Sequence, residues 1–115
     1  MENKIKNIRA KDPIDILINE KGLKIKSVVI DKDLDLMILL LTNGKIIKSA
    51  ISIFARLKNA NQNQLNEYRL ISGGIGIHWE ELDEDLSLKG FIKDAAISNI
   101  IRQLQTKEQE ELVMI

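Results

Sequence analysis

Alternating hydrophobic positions predict an antiparallel β-meander in the first half of the chain. The segment 23–30 alternates and ends in a β-branched run, and 34–42 is apolar on both faces, which is typical of a central strand. Asn43 and Gly44 follow this second segment and favour a tight hairpin turn to a third strand, because both tolerate positive φ. Within the central strand we predict core positions at Leu36 and Ile38.

Helices are predicted on both sides of this meander. Asp12 and Pro13 predict the start of a helix, because Asp12 can cap it and proline is favoured at the first helical position. Gly22 can end this helix. After residue 50 the apolar residues recur at steps of three and four. This period predicts further short helices, one of them capped by Asn61.

Two more strands and a terminal helix are predicted after residue 67. We expect strands at 68–71 and 75–79, joined by a glycine turn, and then a short turn capped by Ser87. A second cap at Asp94 would begin a helix over 94–115 that packs on the chain's own sheet or on a partner. Its apolar stripe comprises Ile97, Ile100, Ile101, Leu104 and, after a polar break, Leu112.

Together these elements predict an α+β fold, a curved antiparallel sheet of about five strands with short helices and a C-terminal amphipathic helix. The 115 residues suffice for one domain with a single core. We expect an N-terminal leader and short helix at 1–22, the α+β core domain at 23–92, and a C-terminal helical extension at 93–115.

Composition excludes several classes of site. Seventeen Lys and Arg residues balance 17 Asp and Glu residues, so the chain lacks the net positive charge typical of nucleic-acid binding. No Cys and a single His exclude a thiol nucleophile and a multi-histidine metal site. No apolar run approaches the about 20 residues of a membrane-spanning helix, and no secretory signal is recognisable. We therefore expect a cytoplasmic protein without a cofactor, metal or membrane partner.

Two motifs favour structural roles over chemical ones. Gly73-Gly74-Ile75-Gly76 lacks the third glycine and the helix of a dinucleotide-binding motif, so a turn between strands is favoured. His78 could act as a general base, but no nucleophile is identifiable by spacing, so a structural role is favoured. Trp79 is expected to be a core anchor rather than a ligand platform.

Five carboxylates lie within six residues, at Glu80, Glu81, Asp83, Glu84 and Asp85. Their spacing does not match a calcium-binding loop. We favour a solvated turn in which Asp85 or Ser87 caps the following helix; an acidic patch for a basic partner is the functional alternative. We also predict that Arg56 pairs with Asp83 or Asp85 through a charge-assisted hydrogen bond.

Three motifs stand in a recognisable order: Phe54-Ala55-Arg56-Leu57-Lys58-Asn59-Ala60, Ile71-Ser72-Gly73-Gly74, and the run from Ile77-His78-Trp79 to Leu86-Ser87. Together they resemble the small bacterial family called domain of unknown function 2442, over about residues 23–92. That family usually has proline where this chain has Ala55 and Glu80, so both turns can differ in shape. The resemblance implies no established enzymatic mechanism. Some members carry a helix-turn-helix domain, and some resemble antitoxin partners of small companion proteins.

From these observations we expect a non-enzymatic protein-interaction module, the antitoxin-like member of a small bacterial two-protein system. A DNA-binding regulator is the alternative, and a hydrolase or metal enzyme using His78 with Asp83 and Asp85 is the least favoured. The expected partner is a small companion protein, with a basic one favoured by the acidic run, or a second copy of the chain. The predicted contact residues are Arg56, Asp83, Glu84, Asp85, Ile101, Leu104 and Leu112.

Overall fold

A computed structural model describes residues 12–106 and shows a mixed α+β fold. Its strands form two three-stranded antiparallel sheets, with the orders β1-β2-β3 and β4-β5-β6. In chain order the elements are α1 (Pro13–Asp15, continued by a π-helical turn at Ile16–Glu20), β1 (Ile25–Asp31), β2 (Leu36–Leu41), β3 (Ile46–Ser49), a 3-10 turn (Ile51–Ile53), α2 (Ala55–Lys58), α3 (Gln62–Asn66), β4 (Tyr68–Ile71), β5 (Gly76–Trp79), β6 (Glu84–Ser87) and α4 (Leu88–Gln105).

The α+β class is confirmed, but the single sheet of about five strands is wrong. The outer edge of β1 is occupied by side chains instead of a fourth strand. Gln62 donates Nε2–H to the Ile30 carbonyl at 3.0 Å and accepts the Lys32 N–H at 2.7 Å, and the Tyr68 hydroxyl donates to the Val28 carbonyl at 3.3 Å. These bonds satisfy main-chain groups at the edge of β1, and β4, β5 and β6 form a separate sheet.

The sixth strand, β6, lies where a solvated turn was expected. Its register on β5 places Leu86 opposite Ile77, and Asp85 opposite His78. Because side chains alternate along a strand, Leu86 packs against the core while Asp85 stays exposed on the other face. Two of the five carboxylates, Glu84 and Asp85, therefore lie in β6, and the other three lie in the preceding turn.

One hydrophobic core joins both sheets and the helices. Trp79 is fully buried in it, and its indole N–H donates to the Leu65 carbonyl at 2.9 Å, so the predicted core anchor is confirmed. In β2, Met37 and Leu39 are fully buried. The prediction of core positions at Leu36 and Ile38 is wrong, because these residues lie on the half-buried outer face of the same strand.

A glycine turn brings the two sheets into contact. Gly73 and Gly74 have φ of +77° and +122° between β4 and β5, as predicted. The Gly74 carbonyl accepts the Ile25 N–H at 2.8 Å. A Cβ on Gly74 would lie 2.3 Å from the Ile25 carbonyl oxygen, so this approach requires glycine.

The C-terminal helix α4 begins earlier than predicted. The Ser87 hydroxyl accepts the Gly90 N–H at 3.0 Å, so the predicted Ser87 cap is confirmed, but it begins the long helix rather than a separate turn. The predicted cap at Asp94 is wrong, because Asp94 lies inside this helix. The helix ends at Gln105, where Thr106 has extended backbone angles, φ −85° and ψ 138°, and the predicted continuation over 107–115 lies outside the described residues. Leu112 lies outside the described residues.

Two other predicted caps are confirmed. The Asp12 carboxylate accepts the Ile14 N–H at 2.8 Å, and Asn61 forms a reciprocal capping box with Gln64. Lys89, near the start of α4, pairs with Asp12 at 3.3 Å and thereby ties α1 to α4. No helix within residues 12–106 combines the length and the apolar character needed to cross a membrane.

Candidate protein-interaction surfaces

The hairpin between β5 and β6 presents the acidic run and is held by Arg56. The Arg56 Nη1 donates to the Asp83 carbonyl at 2.7 Å and to Asp83 Oδ2 at 3.0 Å. Asp83 has φ +53°, a left-handed conformation that asparagine and aspartate tolerate at turns. The predicted pairing is therefore present, with Asp83 and not Asp85. Both bonds come from one nitrogen, so the contact is not a bidentate fork.

His78 lies between two carboxylates on the outer face of the second sheet. Its Nδ1 hydrogen-bonds to Asp85 across the strand pair, and its Nε2 to Glu80 at 2.8 Å. Asp85 first, then Glu80, raise the pKa of His78 above its ordinary value of 6.5, against the opposing effect of partial burial. This cluster was not predicted from the sequence. The His-x-Glu spacing was visible, but the contact with Asp85 depends on the β5–β6 register.

His78 bridges two acidic side chains on this face. Each of its ring nitrogens hydrogen-bonds to a carboxylate. The Ser87 hydroxyl, two residues beyond Asp85, serves as the cap of α4. Asp83, which the hydrolase alternative grouped with His78, pairs with Arg56 instead. Within residues 12–106, no three His, Asp or Glu side chains are arranged to hold a metal ion.

All five carboxylates of the acidic run accept hydrogen bonds within the chain. Besides the three described above, Glu81 accepts from the Gln64 amide at 2.9 Å and Glu84 from the Asp85 N–H at 3.1 Å. Glu80 and Asp85 share His78, whereas Glu81, Asp83 and Glu84 each have a different partner, so the five carboxylates do not converge on one ligand. The side chains of Asp83 and Asp85 nevertheless stay 91% and 68% exposed. A partner contact at Arg56, Asp83, Glu84 and Asp85 stays a prediction.

The distal half of α4 carries an exposed apolar stripe. Ile97, Ile101 and Leu104 are 57%, 47% and 66% exposed, and their steps of four and three place them on one helix face. Ile97 and Ile101, with Ala96 and Ile100, line a shallow apolar hollow of about 220 Å³. The start of α4 packs on the chain's own sheets, as one alternative predicted, but the stripe does not. A partner contact at Ile101 and Leu104 stays a prediction.

A second face of α4 borders a groove beside β3. The groove measures about 680 Å³ and runs between the β3 edge, the 3-10 turn and α4. Its lining includes Ile46, Lys48, Ile53, Ala95 and Arg102. This groove was not predicted from the sequence, because its shape depends on how α4 packs beside the first sheet.

The fold and these surfaces define a small α+β domain. Its prominent features are the charged β5–β6 hairpin, the apolar face of α4 and the groove at the edge of β3. The chain belongs to the family described as protein of unknown function, DUF2442, whose model matches residues 25–96. The predicted resemblance is thus confirmed over nearly the same range.

Two solved structures share the fold. A protein of unknown function from Rhodospirillum rubrum is 29% identical, with a TM-score of 0.57, covering 64% of this chain and 88% of that one. An uncharacterised protein from Chromobacterium violaceum, solved by NMR, is 20% identical, with a TM-score of 0.57, covering 74% and 84%. No curated protein matches the chain.

Proposed function

We propose that this protein is a non-enzymatic interaction module that binds a small companion protein through the distal half of α4. In this proposal it is the antitoxin-like member of a two-protein system in the cytoplasm. The observation that carries the proposal is the stripe of Ile97, Ile101 and Leu104, about half or more exposed on one face of a well-formed helix. Single exposed aliphatic residues are ordinary on a monomer, whereas a contiguous row marks an interaction surface.

The stripe has the spacing that helix-binding grooves recognise. Positions 97, 101 and 104 follow the i, i+4, i+7 pattern with which an amphipathic helix enters an apolar groove. Fully burying one large aliphatic side chain contributes about 1.5–3 kcal/mol, so three half-exposed ones offer about 3 kcal/mol to a partner. That gain is large enough to select this face, and the rest of the affinity must come from additional contacts.

The acidic hairpin supplies a second reason to favour a protein partner. Asp83 and Asp85 keep most of their side-chain surface in solvent, so their negative potential can steer a basic companion toward the domain. The same charges would repel the phosphates of a nucleic acid. The engagement of both His78 nitrogens by carboxylates favours a non-enzymatic role.

Co-purification from the native host tests this proposal. The full chain should retain a small companion in stoichiometric amount, and the double variant Ile97→Glu/Ile101→Glu should lose it. Gln103→Glu adds a negative charge to the same helix away from the stripe and should keep the companion. Light scattering after gel filtration distinguishes a second copy from a different protein. Equal retention by both variants, or bound DNA in place of a protein, would contradict the proposal.

A further inference from the structure

The outer edge of β3 carries main-chain groups without a strand partner. β3 is the last strand of its sheet. The Leu41 N–H donates to the Lys45 carbonyl at 2.9 Å, and hydrogen-bonding alternates along an antiparallel pair. The main-chain groups of Ile47 therefore face β2, whereas those of Ile46 and Lys48 point away from it. No hydrogen bond to these outward groups is present within residues 12–106.

These groups face the groove of about 680 Å³ between β3 and α4. Ile46 and Ile53 are 51% and 61% exposed at its wall, and Ala95 is a small residue on the helical side. The four residues of β3 span about 13 Å at ~3.3 Å per residue, the length of a short extended peptide. A strand edge beside a helix is the arrangement by which many domains take up an extended segment as an additional strand.

The charges in the groove indicate what that segment carries. Lys48 and Arg102 line it, and neither side chain has a carboxylate partner within residues 12–106. Asp94 is the acidic residue in the same lining. An acidic side chain on the incoming segment would pair with the two cations, and aliphatic side chains at alternate positions would cover Ile46 and Ile53.

We propose that this groove binds an extended segment of a partner protein by strand addition to β3. The segment alternates aliphatic side chains and includes an acidic one that meets Lys48 and Arg102. This inference rests on the proposed function, that of an interaction module, and adds a second contact on a different face of α4 from the apolar stripe.

Selection from a displayed library of random eight-residue peptides, with the full chain as target, tests the proposal. We expect enrichment of acidic sequences with alternating aliphatic residues. The best peptide, made synthetically, should bind the Lys48→Glu/Arg102→Glu variant at least tenfold more weakly. It should bind the stripe variant Ile97→Glu/Ile101→Glu within twofold of the unchanged protein, which separates failure of this groove from failure of the stripe. Thermal unfolding checks that both variants are folded.

Hydrogen exchange supplies a readout specific to strand addition and needs no variant. With the peptide bound, the amides of Ile46 and Lys48 should exchange more slowly, while the Ile47 amide, already bonded to β2, should change little. Unchanged exchange at Ile46 and Lys48 would overturn the proposal, as would a selection that enriches nothing or enriches basic sequences. Enrichment of sequences matching residues 107–115 would overturn the assignment to a partner protein and give the groove to a second copy of this chain.

Discussion

Neighbouring residues of β2 should differ sharply in their contribution to stability. Leu39 is fully buried and Ile38 lies on the half-buried outer face. Leu39→Ala removes three buried carbons, about 2.4 kcal/mol at ~0.8 kcal/mol each, and the cavity left behind raises the loss to about 3–4 kcal/mol. Ile38→Ala leaves a position that solvent already reaches, so we expect a loss of about 1 kcal/mol.

Urea unfolding measures both losses. Trp79 is the only tryptophan and is fully buried, so its fluorescence reports the core directly, and far-UV circular dichroism provides an independent probe. With a slope of ~1.5 kcal/mol per molar urea, the Leu39→Ala midpoint should fall by about 2 M with the slope unchanged. Equal midpoints for the two variants, or a loss below about 1 kcal/mol for Leu39→Ala, would refute the assigned orientation of β2.

Three further predictions concern the second sheet. In a double-mutant cycle, Arg56→Ala and Asp83→Asn should couple by about 0.2–1 kcal/mol, because the pair is exposed; zero coupling would contradict the contact. The raised pKa of His78 means that its contribution to stability is complete below pH 6.5 and is lost as the pH rises through the raised value. The free energy of unfolding of the His78→Asn variant should not show this decline across the same pH range. An NMR titration of His78 with a midpoint below pH 6.5 would refute the predicted direction of the pKa shift. Gly74→Ala should unfold the protein far more readily than Gly73→Ala, whose added Cβ meets no atom within 4 Å; similar unfolding temperatures would contradict the close approach.

Local chemistry determined what the sequence could predict. The caps at Asp12, Asn61 and Ser87 each bind an N–H two or three residues further along the chain, so their signals lie within one short window. The turn at Gly73 and Gly74 was predictable for the same reason, since positive φ is a property of the residue itself. A pairing of Arg56 with the acidic run was predicted, but the sequence left Asp83 and Asp85 equally open as its partner.

Tertiary packing decided the rest. β2 is apolar on both faces, so alternation could not tell which face meets the core, and only packing selected Leu39 over Ile38. Gln62 hydrogen-bonds to the edge of the first sheet from 30 residues away, at a place where no fourth strand pairs. The contact of His78 with Asp85 required the register of β5 on β6. Each of these outcomes joins residues distant in sequence, whose competing pairings differ in free energy only once the whole core is assembled, and no local pattern encodes that difference.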